Sequence, residues 1–84
     1  MVKILLTPEA SRQLQEIPRT IAHRFYDVLV RLKRWPQVSG AKPLRRELRG
    51  HYRIRTGDYR LVFRVVGDEL WIVRIDHRKD VYED

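Results

Sequence analysis

The stretch GHYRIRTGDYRLVFRVV, Gly50 to Val66, decides how this chain folds. Two alternating runs flank Thr56-Gly57-Asp58, and a glycine-containing break between such runs is a hairpin signal. Successive side chains of a strand point to opposite faces. Tyr52 and Ile54 therefore share one side of the first run, and Tyr59, Leu61, Phe63 and Val65 share one side of the second. The other sides carry Arg53 and Arg55, then Arg60, Val62 and Arg64. The apolar set is expected to pack beneath a covering layer, with the arginines emerging together on the uncovered face.

The covering layer is legible upstream. Val2 to Leu6 is a short apolar run that reads as a buried strand. At Thr7-Pro8-Glu9 a helix begins: threonine can cap, proline suits the first helical position, and glutamate favours the positive end of the dipole. A helix from Pro8 to about Glu16 turns Ala10, Leu14 and Ile17 to one side, and Pro18 ends or restarts it. A second helix, from about Arg19 to Arg34, repeats Ile21, Phe25, Val28, Leu29 and Leu32 at three- and four-residue steps. Trp35-Pro36 closes it, because the residue before proline avoids the α region. The loop PQVSGAKP follows. Leu44 to Leu48 is expected as a strand, then His51 to Thr56, Asp58 to Val66 and, after Gly67-Asp68, Glu69 to Asp76. On that last strand Trp71, Val73 and Ile75 are expected to face the core, with Arg74 on the open side. The outcome is one α+β domain over 1–84, ordered β-αα-βββ(β), with a helical hairpin packed on one face of a twisted, mainly antiparallel sheet.

Charge bounds the partners. Eighteen Lys and Arg against eleven Asp and Glu leave +7, most of it as arginine. Guanidinium forks match phosphate bidentately, so nucleic acid or an acidic protein is the expected partner. With no cysteine there are no disulfides or thiolate metal sites, and His23, His51 and His77 lack metal-ligand spacing, so neither metal nor cofactor is expected. The amino-terminal apolar run is too short for a secretory signal or a membrane span, so a cytoplasmic location without membrane contact is expected.

Between Lys42 and Arg60 stand seven basic residues, namely Lys42, Arg45, Arg46, Arg49, Arg53, Arg55 and Arg60, against Glu47 and Asp58. A solvated sheet face is the ordinary account of such a run. Like charges on neighbouring strands are destabilising unless an anion arrives, which favours a phosphate-binding surface. That surface takes in Arg45, Arg46, Arg49, Arg53 and Arg64 as phosphate contacts. The tail IDHRKDVYED adds His77, Arg78 and Tyr82, which are ordinary surface groups or acid-base groups beside the arginines.

The order of elements, with LRG at Leu48 to Gly50, YRIRTGDYRLVF at Tyr52 to Phe63 and HRKDVY at His77 to Tyr82, resembles the RelE/ParE superfamily of toxins from type II toxin–antitoxin systems. The pattern is more similar to the RelE branch than to the ParE branch. The resemblance implies a RelE-like microbial RNase fold and a ribosome-dependent, metal-independent mRNA endoribonuclease that cuts in the A site and inhibits translation. In that chemistry the ribose 2′-OH attacks the adjacent phosphorus, giving a 2′,3′-cyclic phosphate and a 5′-OH. The proton must leave the 2′-OH, the extra phosphate charge must be stabilised, and the leaving oxygen must be protonated.

Arg60, Arg78 and Tyr82 match the family's motif positions, while Arg53 and Arg55 fall where well-known members carry lysines. Arginine effectively never deprotonates, so these two can hold phosphate but not act as base. Arg55, Arg60 and Arg78 are therefore expected as the charge clamp. Tyr82 and His77 are the acid-base candidates: nearby guanidinium groups favour a phenolate, and an imidazole ordinarily titrates near neutrality. The resemblance further implies an acidic antitoxin as partner, with ribosome and mRNA as target and operator DNA bound only through the antitoxin complex. Two other readings stay open: a ParE-like toxin that inhibits gyrase without cutting RNA, and a non-catalytic basic nucleic-acid-binding module.

Overall fold

A computed structural model describes residues 1–77 of the 84-residue chain. Its elements run β1 (Lys3–Leu6), α1 (Pro8–Glu16), α2 (Arg19–Leu32), β2 (Lys42–Pro43), a 3-10 turn at Arg46–Leu48, β3 (His51–Thr56), β4 (Tyr59–Val66) and β5 (Glu69–His77). The strands form one five-stranded sheet in the order β1-β5-β4-β3-β2. β1 lies parallel to β5, and the other pairings are antiparallel. This is the two-helix α+β layout expected from the sequence.

Local signals set the boundaries. The Thr7 Oγ1 accepts from the Ala10 N–H at 3.1 Å, capping α1 as its residue type allows. Pro18 separates the helices: Ile17 is already extended, and α2 starts at Arg19. α2 ends at Leu32, two residues earlier than the periodicity suggested. Gly57, at φ +60, occupies the first turn position between β3 and β4, where a primed two-residue turn needs positive φ. A side chain there would also meet Arg24 Nη1 at 3.2 Å.

The core lies between the helices and one sheet face. Phe25, Val28 and Leu32 from α2 meet Ile54, Leu61, Phe63, Leu70, Ile72 and Ile75 from the sheet. Trp35, Tyr52 and Phe63 close one end as an aromatic cluster, with centroids 4.8 to 5.7 Å apart. Burying each large apolar side chain contributes roughly 2 kcal/mol. Tyr52, Ile54, Leu61 and Phe63 thus take the side their alternation indicates, and Tyr59 follows them with its ring 6.0 Å from Phe25.

Two expectations fail for identifiable reasons. Leu44 to Leu48 is not a strand. The pairing is confined to Lys42↔Arg53 and Pro43↔Tyr52, within what reads as loop. Proline has no N–H for a ladder, and Arg46 sits at φ +59, which an extended strand excludes. Leu44 is buried nonetheless, its N–H donating to the His51 carbonyl at 2.9 Å. The second failure is the inward set on β5. The buried residues are Leu70, Ile72 and Ile75, whereas Trp71 and Val73 are only half-buried. The register passes from Val62↔Arg74 to Phe63↔Ile72, so Val73 is the extra residue of a β-bulge. A bulge opposes two residues to one and so shifts the alternation by one.

Candidate functional site

Because the helices cover one face of the sheet, the opposite face carries the alternate residues of β3, β4 and β5. Three rungs cross it. Arg55 faces Arg60, which faces Asp76. Arg53 faces Val62, which faces Arg74. His51 faces Arg64, which faces Trp71. The hairpin alternation therefore brings Arg53, Arg55, Arg60 and Arg64 onto one surface, and β5 adds Arg74.

Arg60 is the unusual member. It is only 5% exposed, whereas Arg55 and Arg64 are exposed and Arg53 is half-buried. A buried guanidinium needs a counter-charge. Asp76 supplies it: its Oδ2 lies 3.4 Å from Arg60 Nε and accepts a hydrogen bond from it. The same oxygen lies 2.9 Å from Arg74 Nε, so one carboxylate sits between two arginines. Arg60 Nη1, by contrast, is buried and has no hydrogen-bond partner among the described residues. The group is thus anchored at Nε, with Nη1 a donor that no described residue uses. Asp76 also offsets the repulsion between Arg55 and Arg60, which stand directly opposite each other.

His77 does not join this surface. It pairs with Tyr59, and the two rings meet edge to face with centroids 4.8 Å apart. Tyr59 faces α2, so the expectation that His77 stands beside the arginines is not met. Plain alternation from the inward Ile75 accounts for it: Arg74 and Asp76 stay on the open side, and Ile75 and His77 turn to the helix side. Arg45, Arg46 and Arg49 are exposed around the 3-10 turn before β3, on a separate loop. Arg78 and Tyr82 lie outside the described residues. Sequence reasoning missed Asp76, whose role follows only from its place opposite Arg60.

Comparison with known proteins fits this architecture. The family model of the ParE toxin of the type II toxin–antitoxin system parDE matches residues 4–82. The chain is 39% identical over 82 residues to Toxin RelG of Mycobacterium tuberculosis, covering 94% of this chain and 93% of that protein. Among solved structures, the toxin–antitoxin complex RelBE2 of Mycobacterium tuberculosis contains a chain that matches with a TM-score of 0.80 at 35% identity, covering 92% of this chain and 98% of that one. The RelB–RelE antitoxin–toxin complex of Methanococcus jannaschii matches with a TM-score of 0.77 at 25% identity, covering 93% and 94%. A chain matched along nearly its whole length in both sequence and fold is a relative and not a chance likeness, and this one belongs to the RelE/ParE superfamily of toxins of type II toxin–antitoxin systems.

Proposed function

We propose that the chain is a ribosome-dependent, metal-independent mRNA endoribonuclease whose arginine face holds the scissile phosphate. The observation that carries this reading is Arg60: a buried guanidinium fixed by Asp76 at Nε, with Nη1 unpartnered among the described residues. A donor oriented before the reaction and not used by any described residue is suited to charge that develops in a transition state. Exposed Arg55, opposite Arg60, meets the incoming phosphate first.

The chemistry follows from that placement. The 2′-oxygen attacks phosphorus and gives up its proton, the bond to the 5′-oxygen breaks, and that oxygen takes up a proton. Arg55, Arg60 and Arg78 steady the charge on the non-bridging oxygens, while Arg53 extends the phosphate contacts. None of these guanidinium groups can take the 2′-OH proton. The His77 ring lies against Tyr59 on the helix side, which favours Tyr82 over His77 for that step. The partner in the resting cell is an acidic antitoxin; the relatives' RelBE2 and RelB–RelE structures are toxin–antitoxin complexes. Charge complementarity with a +7 chain supports it. Operator DNA is contacted through that complex.

The test is to induce the protein, map new 5′ ends on translating mRNA, and assay DNA supercoiling in parallel. In-frame cuts within codons support the proposal. Because the matching family model is that of ParE, loss of supercoiling with intact mRNA is the specific alternative outcome, and it would replace the ribonuclease reading. Arg60→Gln is expected to lower the cleavage rate by about 10²-fold or more, the usual effect of removing one transition-state donor. Full cleavage by Tyr82→Phe would remove Tyr82 from the proton step.

A further inference from the structure

A second cluster occupies the same open face, at the other end of the hairpin from Arg60. His51, Arg64 and Trp71 stand side by side across β3, β4 and β5. With Thr7, Val66 and Val73 they line a concavity of about 390 Å³. Three properties set it apart from an ordinary dent in a sheet. His51 Nδ1 is buried and has no hydrogen-bond partner among the described residues. The Trp71 indole is half-buried, and its N–H donates to Glu69 Oε1 at 3.2 Å, which fixes the ring. Arg64 is exposed beside both.

The indole and the guanidinium each have a counterpart in a nucleotide. A fixed indole offers a stacking plate to any base, because every base has a π-face. A guanidinium at its edge takes the phosphate. The partly exposed His51 ring completes the wall of the concavity beside them. A purely apolar partner segment would satisfy Trp71 and Val73 but leave Arg64 unmatched.

Arg64 is also four strand residues from Arg60, about 13 Å at the rise of a β-strand, and its side chain shares the same face. A single strand held at Arg60 can therefore run on into this concavity. We propose that His51, Arg64 and Trp71 form a nucleotide subsite, with one base stacked on Trp71 and its phosphate on Arg64, for the RNA that continues beyond the scissile phosphate. This rests on reading the arginine face as an RNA surface. It adds to that reading a determinant of nucleotide identity further along the strand from the cut, separate from the groups that do chemistry.

The test uses the whole purified chain and 2′-O-methyl RNA trinucleotides, which lack the attacking hydroxyl and cannot be cut. Trp71 is one of two tryptophans. The other, Trp35, packs 4.8 Å from Tyr52 and 5.3 Å from Phe63 on the helix side, so stacking on Trp71 should quench fluorescence that Trp35 does not report. Saturable quenching is expected. Arg64→Gln, an exposed substitution, should weaken it roughly 10-fold. Trp71→Leu, followed by calorimetry, should weaken binding roughly 10-fold or more, with Trp71→Phe recovering most of it. Absence of saturable quenching in the parent protein overturns the subsite, as does quenching indifferent to Arg64→Gln. An effect of these variants only on affinity for the acidic antitoxin also overturns it. The two readings fail separately. Trinucleotide binding without cleavage on ribosomes sinks the ribonuclease and keeps the subsite, and cleavage without trinucleotide binding does the reverse.

Discussion

At the scale of single residues the molecule turns on Arg60 and Asp76. A buried arginine in the middle of a basic face is tolerable because Asp76 faces it across β5, and Asp76 in turn touches Arg74. Arg60→Gln should therefore have two separable effects. Cleavage falls as stated above. Stability falls by only about 1–3 kcal/mol, because the carboxylate left behind still has Arg74 and is not an orphan. Urea denaturation of the variant measures the second effect, and circular dichroism shows whether the lost activity belongs to a folded protein. His77 makes the contrasting case. Its motif position suggests chemistry, whereas its ring lies against Tyr59 on the covered side. His77→Ala should keep in-frame cutting on ribosomes within about threefold and lose about 1 kcal/mol of stability from the aromatic contact. A hundredfold loss of cutting in a folded variant would restore it to the acid-base list.

At the scale of elements the decisive irregularity is the bulge in β5. β1 pairs with β5 only as far as Leu6↔Ile72, and there the chain turns into α1. The outer edge of β5 beyond that point still carries main-chain groups that need partners. α1 provides them. The Thr7 hydroxyl donates to the Val73 carbonyl at 2.8 Å, and Gln13 Oε1 accepts from the Ile75 N–H at 2.7 Å. Helix and bulge thus define each other, and the bulge is what directs Asp76 toward Arg60. Gln13→Ala should cost about 1–3 kcal/mol by leaving the Ile75 N–H unpaired, read as a lowered urea midpoint at unchanged m-value. Cleavage should fall along with stability if Asp76 loses its position. A stable Gln13→Ala protein with full activity would show that the bulge persists without this bond. Neither Gln13 nor Thr7 stands out as a β5 partner in the sequence, because side-chain-to-backbone bonds across 62 and 66 residues leave no periodic trace.

At the scale of the whole molecule a sheet with one covered and one open face divides labour. The covered side holds the aromatic and aliphatic core, and the open side concentrates positive charge. If Arg53, Arg55, Arg60 and Arg64 all meet phosphates, the slope of log K against log salt for single-stranded RNA should be about −3, from roughly 0.7 per neutralised phosphate. Affinity should then fall roughly 50-fold between 50 and 200 mM salt. A slope near zero in a filter-binding titration would mean that the arginines are a solvated surface. Much of this organisation was legible in the residue order. The period of 3.6 through Phe25, Val28 and Leu32, the cap at Thr7, the break at Pro18 and the alternation around Gly57 each rest on local backbone physics, and local physics is written in neighbouring residues. That is why the two helices, the central hairpin and its arginine side could be read directly. The bulge in β5, the shortness of β2 and the burial of Arg60 were decided only by tertiary structure. Each depends on which group lies across a strand or beneath a helix, and such pairings join residues distant in the chain. The sequence alone determined that arginines would share a face; the fold decided which of them is anchored, by which carboxylate, and which neighbouring side chains share that surface.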